Sequence, residues 1–323
     1  MKAEEGIKIC DQTKPEEIAQ LQQLAKESGL FAGESITEIT YMPGGLTNRN
    51  FKVVIGGKKY AFRLAGPGTA DYLNRPAEKE AVAAVNVLGI SPEFYYYDVS
   101  TGSNVARFVE GATMVRNDFQ TRSEVLEKAA EIVRKYHNSG IIFEGRFDPF
   151  TEINSYRQFL KDNNWTKFYD EMPLLSEIYD KIDAALQKNP PKLVCSHNDC
   201  LSENFLFNGE KMELIDWEYC GMNIYNFDLA AVISENELSE EKEEEFMQYY
   251  FQGEPSERQR ADVLIGKFIM DGLWVPWAFV QAATKPDEVD FYWDWGYVRV
   301  QRCLRTYNNP NFERYLEIVG TPE

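Results

Sequence analysis

The chain has 323 residues, of which 44% are hydrophobic and 14% aromatic, and carries a formal net charge of −18. Its length suits two compact units better than one, and its apolar content is enough for a large core. The charge excludes a protein that wraps a nucleic-acid backbone, which needs clustered Lys and Arg, or that binds an anionic membrane surface. A cationic small substrate fits it electrostatically.

No apolar run of about 18 residues is read, so no membrane insertion is expected. The start, MKAEEGIKICDQTKPEE, has no apolar signal-peptide core. The five cysteines are odd in number and show no paired spacing. Reduced thiols and a cytoplasmic location are therefore expected.

In chain order, residues 15–28 read as an amphipathic helix with Ile18, Leu21 and Leu24 on one side. Strands follow at 36–43 and 51–55, flanking the turn GGLTNRN. In YAFRL, Tyr60, Phe62 and Leu64 alternate onto one face, which marks a third strand. Asn74, Pro76 and Gly89 have the chemistry of an N-cap, a first-turn proline and a helix stop. Further strands fit 93–98 and 104–109. Thr121 and Glu124 have capping-box spacing for a helix ending at Asn138-Ser139-Gly140. Helices also fit 151–163, 173–188 and 239–251. Ser256 and Gln259 open another, with Pro276 expected to kink it, and a last one fits 294–307. The pattern is α+β: a small sheet-rich part, 1–109, and a larger mainly helical part, 110–323.

The chemistry concentrates in CSHNDCLSENFLF, 195–207. A zinc reading of Cys195, His197 and Cys200 lacks the second ligand pair that structural zinc sites use, so the cysteines read as small hydrophobes. Asp199 followed five residues later by Asn204 suits phosphoryl transfer: a carboxylate to accept a hydroxyl proton and a neutral oxygen ligand for Mg²⁺. FLFNGEKMELI reads as a hairpin, which brings Asn204 towards Asp216. A two-residue Asn-Gly turn sets Asn204 opposite Glu213, whereas a three-residue turn over Gly209-Glu210-Lys211 sets it opposite Asp216. The longer turn is expected.

HNDCLSENFLF…LIDWEYCGMNIYNFDLA resembles the catalytic region of the choline/ethanolamine kinase family, especially the bacterial LicA-type choline kinases. The resemblance spans roughly 36 to 308. It implies the bilobal protein-kinase-like fold shared with aminoglycoside phosphotransferases, with an antiparallel-sheet N-lobe and a mainly helical C-lobe. It implies ATP as co-substrate and Mg²⁺ as cofactor. Asp199 matches the family's catalytic base, His197 the loop histidine that supports it, Asn204 and Asp216 the metal ligands, and Asp228 an aspartate bracing the loop. GGLTNRNF resembles the phosphate-binding turn, with Gly45, Thr47 and Asn48 at the nucleotide. Arg63 matches the usual kinase lysine, with Glu78 as its partner and Glu80 as the alternative. Phe108 and Val109 fall at the adenine-binding hinge.

For the acceptor, four of the six tryptophans lie between 274 and 295. Trp274 and Trp277, at i and i+3, share nearly one helix face; Phe291, Tyr292, Trp293 and Trp295 follow. A core stripe accounts for such spacing, and so does an aromatic cage for a quaternary ammonium, which has no N–H to donate and binds ring faces. The resemblance implies the cage, with Trp274, Trp277, Trp293 and Trp295 as its walls, Tyr219 closing it and Glu218 or Asp294 adding charge. Trp165 and Trp217 read as core. The expected activity is phosphorylation of choline. Alternatives are a kinase for ethanolamine or another small amino alcohol, an aminoglycoside phosphotransferase, and a catalytically inactive nucleotide-binding protein.

Overall fold

The computed structural model describes residues 7–9, 12–43, 48–66 and 74–322. In chain order it contains β1 (Lys8–Ile9), α1 (Pro15–Glu27), β2 (Ile36–Met42), β3 (Arg49–Ile55), β4 (Lys58–Leu64), α2 (Arg75–Leu88), β5 (Phe94–Tyr97), β6 (Asn104–Arg107) and β7 (Ala112–Thr113). There follow α3 (Arg116–Thr121), α4 (Ser123–His137), α5 (Pro149–Asp162), α6 (Met172–Lys188), β8 (Leu193–Ser196), β9 (Phe205–Phe207), β10 (Met212–Leu214) and β11 (Gly221–Ile224). The chain ends with α7 (Tyr225–Glu235), α8 (Glu240–Phe251), α9 (Glu257–Thr284), α10 (Val289–Tyr307) and α11 (Phe312–Val319). The class is the expected α+β, with an antiparallel sheet before a mainly helical remainder.

Two compact units result, but they do not divide at 109/110. One comprises residues 1–114 and 203–220, the other 115–202 and 221–323. The reason is the β9–β10 hairpin. It pairs with β7 at Ala112 and Thr113, and the Leu214 amide donates to the Ile90 carbonyl at 2.7 Å. Arg107 also donates to both oxygens of the buried Glu213, at 2.6 and 2.8 Å.

In the first unit the strand order is β1-β2-β3-β4-β6-β5, antiparallel except for β1 beside β2. Alternation places Phe51, Val53, Ile55, Phe62 and Leu64 in one core with Leu21 and Leu24 of α1. α2 starts as its sequence indicates: the Asn74 side chain accepts from the Ala77 amide at 3.1 Å, and Gly89 closes the helix in the left-handed region, φ +64°. Thr121 does not open α4. It ends the short α3, and Arg122 stands at the α4 N-cap without a side-chain bond.

In the second unit β8 pairs antiparallel with β11, and α9 is the central helix. Its capping box of Ser256 and Gln259 is formed, and the helix continues through Pro276 to Thr284. By length and composition α9 would suit a bilayer crossing, but 83% of its most apolar stretch is buried within the protein, the pattern of a core helix.

Around α9 lies a buried ionic network. Glu235 of α7 accepts from Arg299 of α10 at 2.8 and 2.9 Å, and Arg302 lies 3.3 Å from Glu235 and 3.5 Å from Asp271 of α9. Asp271 is fully buried. Burial pushes its carboxyl up to about 7, with Arg302 opposing and Glu235 adding repulsion. A folded value above the unfolded one means the folded state holds the proton more tightly. This contribution is therefore complete below about pH 4 and lost as pH rises to about 7, with an upper bound of roughly 4 kcal/mol. Asp271→Asn should abolish it: urea unfolding at pH 5 and pH 8 is expected to show the variant gaining on the wild type at the higher pH. An unchanged difference would refute the buried-charge account.

Candidate active site

The β8–β11 ladder holds the first part of the site. Residues 197–199 leave the end of β8, and their backbone is braced by Asp228 in the first turn of α7. The Asp228 carboxylate accepts from the His197 amide at 2.8 Å and the Asn198 amide at 2.7 Å. Tyr136 donates to it at 2.6 Å, and His137 Nε2 lies at 3.2 Å. Although burial opposes its ionisation, His137 beside it holds the Asp228 carboxyl below its usual range. Asn198 takes a left-handed backbone, φ +68°, and its side-chain oxygen accepts from Asn223 at 2.8 Å. That turn presents Asp199, half-buried, at the loop's end. His197 is wholly buried, and its Nδ1 accepts from the Asp199 amide at 3.2 Å. This is a supporting contact made through the Asp199 backbone. Cys195 and Cys200 are buried beneath the loop, with Cys195 donating to the Tyr136 carbonyl at 2.8 Å.

The sheet-rich unit contains a cavity of about 340 Å³. Arg63, Phe108, Val109, Asn204 and Asp216 all line it, with Ala61 and Leu206 among its apolar walls. Five expected residues from four separate stretches thus meet on one surface. The hairpin achieves this by a register different from the one expected. Phe207 pairs with Met212 and Phe205 with Leu214, so the loop has four residues and Asn204 faces Ile215, whose amide it accepts at 2.9 Å. The Asn208 side chain draws its own residue into the loop by accepting from the Glu210 and Lys211 amides, at 3.0 and 2.8 Å. Asp216 then turns through a left-handed backbone, φ +64°, and still lines the cavity alongside Asn204.

Behind the cavity lies a charged cluster within the same unit. Arg63 is ion-paired to Glu78 and donates to Asp216 at 2.9 Å. Of the two helix carboxylates, Glu78 meets the guanidinium, while Glu80 is exposed. Burial opposes ionisation of Glu78, yet Arg63 and a Tyr97 hydroxyl hold its carboxyl below the ordinary value. Arg75, unmarked in the sequence reading, is also buried and lies 2.6 Å from Glu78 and 3.5 Å from Glu218. A turn packs against both cations: Arg63 donates to the Gly102 carbonyl at 2.8 Å. Gly102 has φ +87°, and a Cβ there would lie 2.4 Å from Arg75 Nε, so only glycine fits.

Two expected contacts are redirected by this cluster. Asn48 is buried and donates to Glu218 at 2.8 Å, while its oxygen takes the Gly66 amide at 3.4 Å. Its carboxamide is engaged there and does not line the cavity. Glu218 is likewise buried with Asn48 and Arg75, because DWEY alternates Asp216 and Glu218 onto the charged side and Trp217 into the core. Burial, with repulsion from Asp216, pushes its carboxyl up to about 7. Tyr219 is buried in the same unit. Gly45 and Thr47 lie outside the described residues.

As donors for a divalent cation, Asn204 and Asp216 are hard oxygens on one cavity wall. Two protein ligands, completed by phosphate oxygens and water, are the donor set Mg²⁺ commonly takes. Among the described residues, no group of three or more His, Cys, Asp or Glu offers an alternative metal site.

In the helical unit the tryptophans fall into two groups. Trp277 is the hub of one, with ring centroids 5.7 Å from Trp274, 5.9 Å from Tyr292 and 5.1 Å from Trp295. Trp274 and Trp277 are 7% and 5% exposed, so the cluster is nearly a core feature and opens only at its edge. Arg299 stacks on Trp295 at 3.1 Å. Trp293 does not belong here: it packs on Tyr169 at 4.3 Å and Phe279 at 5.8 Å, with Lys167 over its ring at 4.0 Å. Two residues along a helix is about 200° of rotation, so Trp293 and Trp295 face apart. Tyr292, three residues before Trp295, takes the place expected of Trp293. Asp294 is exposed. Trp217 is core as expected, and Trp165 is half-buried beside Phe279.

The family model described as choline/ethanolamine kinase matches residues 39–302. A crystal structure of a choline/ethanolamine kinase family protein from Mesorhizobium loti is 32% identical, with TM-score 0.81 over 94% of this chain and 98% of that one. A LicA structure in complex with AMP is 25% identical, with TM-score 0.73 over 92% and 98%. The choline kinase LicA from Streptococcus pneumoniae is 26% identical, with TM-score 0.74 over 90% and 98%. An aminoglycoside 2′-phosphotransferase, 13% identical at TM-score 0.61 over 92% and 99%, shares the kinase-like fold.

Proposed function

The chain belongs to the choline/ethanolamine kinase family, and on that premise we propose that it transfers the γ-phosphoryl group of ATP to the hydroxyl of choline, giving phosphocholine and ADP. The observation that carries the choline assignment is the ring cluster around Trp277. A trimethylammonium group is bound by ring faces and by desolvation of its methyls, whereas a primary ammonium calls for oxygen acceptors. The crystallised relatives include one described as a choline kinase and one holding AMP.

In this reading Phe108 and Val109 border the adenine, and Ala61 and Leu206 supply apolar walls for it. Mg²⁺ held by Asn204 and Asp216 would neutralise phosphate charge and align the γ-phosphoryl group. Arg63 keeps its charge at any physiological pH and offers a forked donor to the phosphates, with Glu78 fixing its orientation. Asp199 accepts the hydroxyl proton as the choline oxygen bonds to the γ-phosphorus and the bond to the β–γ bridging oxygen breaks, releasing ADP. Asp228 and His197 hold the backbone that carries Asp199. Positioning and electrostatics supply most of the acceleration, with no covalent enzyme intermediate.

The test is an ADP-release screen with choline, its mono- and dimethylated precursors, ethanolamine and kanamycin. Choline should give the highest kcat/KM. A preference of tenfold or more for ethanolamine would transfer the assignment to that substrate, and ADP release with none of them would remove it.

A further inference from the structure

The brace beneath the Asp199 loop extends away from the site through two further buried side chains, His137 of α4 and Tyr250 of α8. Four donors meet the Asp228 carboxylate: the His197 and Asn198 amides, the Tyr136 hydroxyl and His137 Nε2. A carboxylate has about four acceptor positions, so His137 completes the set. Its other ring nitrogen, Nδ1, lies 2.8 Å from the Tyr250 hydroxyl, which has no other hydrogen-bond partner among the described residues. The two rings meet edge to face, with centroids 5.8 Å apart. α8 is fastened along α4 independently of this contact. Lys242 donates to Ser123 at 3.0 Å near the start of both helices. Near their ends, Arg134 donates at 2.7 Å to the Tyr249 carbonyl, one of the last-turn carbonyls that a helix cannot satisfy itself.

These contacts fix where each proton sits. Asp228 is held ionised and can only accept, so His137 Nε2 carries a proton. The Tyr250 O–H has His137 as its acceptor, so it donates to Nδ1, which carries none. The imidazole is neutral, and the hydrogen bond on one nitrogen selects the donor that faces Asp228 from the other. We propose that His137 is a positioning residue for Asp199 and that Tyr250 sets its tautomer: the pair holds Asp228 where it takes the two loop amides, and so fixes the loop that presents the base. Without Tyr250 the ring is free to turn a lone pair towards the carboxylate, and the loop loses part of its anchor. Misplacing a reacting group by about 1 Å costs up to roughly 10²-fold in rate. The inference rests on the reading of Asp199 as the proton acceptor. Neither His137 nor Tyr250 lines the nucleotide cavity, so the effect belongs in kcat.

Nitrogen-15 NMR of the full chain labelled at histidine tests the tautomer in the wild type. The chain has two histidines, and the other, His197, also accepts at Nδ1, from the Asp199 amide. The spectrum should therefore show unprotonated Nδ1 and protonated Nε2 on both rings. Tyr250→Phe should shift the His137 signals, assigned by their loss in His137→Gln, and lower kcat about fivefold. His137→Leu leaves an Asp228 oxygen without its donor and should lower kcat at least about tenfold, with KM for ATP and acceptor within about threefold. His137→Gln returns an N–H towards Asp228 and should recover most of that loss. Adding Tyr250→Phe to His137→Leu should cost nothing more, because Tyr250 acts through the imidazole. Turnover is read with whichever acceptor is fastest in the screen above. A protonated Nδ1, a folded His137→Leu variant with kcat within about twofold of wild type, or additive losses in the double variant would each overturn the proposal. If the variants do not fold, as judged by circular dichroism, the wild-type spectrum decides. That spectrum needs no substrate, so failure of the choline reading is distinguishable from failure of this one.

Discussion

Replacing Asp199 by Asn should lower kcat by roughly 10³-fold, the middle of the range for losing a general base, while ATP affinity changes by less than about threefold. Asn keeps the size of the side chain but cannot accept the hydroxyl proton. The loop should hold its shape, because it is fixed from beneath: the Asp228 carboxylate takes the His197 and Asn198 amides, and the Asp199 contact with His197 runs through its backbone N–H. ATP affinity should persist because the residues proposed for the nucleotide, Arg63, Phe108, Val109, Asn204 and Asp216, line a cavity within the sheet-rich unit. Steady-state kinetics with calorimetric ATP titration provides both readouts. Turnover within tenfold of wild type would remove Asp199 from the proposed role. Loss of ATP binding together with turnover would show that the substitution disturbs more than proton transfer.

The second large effect is a split between acceptors at Trp277. Trp277→Ala should raise KM for choline by roughly 30-fold, equivalent to about 2 kcal/mol for a desolvated cation–π contact, and change KM for ethanolamine by less than about threefold. Trp274→Ala should act in the same direction but less, since Trp277 is the ring at the centre of the cluster. Trp277→Phe restores a ring face and should recover most of the choline affinity, which separates a binding role from a packing one. Trp293→Ala is the internal control. Its ring packs with Tyr169 and Phe279, so choline KM should barely move. Equal losses for both substrates at Trp277 would reduce the cluster to core.

The elements that carry the site could be read from the chain because their signals are local. YAFRL alternates, Asn74 and Gly89 bracket α2, and Ser256 with Gln259 opens α9. The hairpin after Asn204 was also legible, and it does bring Asn204 and Asp216 to one cavity. The hairpin register could not be read, because whether Asn208 belongs to strand or loop depends on its side chain folding back on two amides. The split of Trp293 from Trp295 was accessible in principle: continuing the helix back from 294 to 289 places Tyr292, not Trp293, on the same face as Trp295.

Other features have no local signal. Arg75 looks like an ordinary first-turn residue until Gly102, twenty-seven positions on, leaves room for it beside Glu78 and Glu218. Asp271, Glu235, Arg299 and Arg302 lie on three helices, and nothing in their spacing announces that they share one interior. Residue periodicity and capping chemistry act over a few bonds, so the sequence by itself determined the strands, the helices and the carboxylate-bearing loop. Which charges are buried together depends on contacts between segments far apart in the chain. Only the tertiary structure decided those, because the cost of burying a charge depends on the neighbours that folding brings to it.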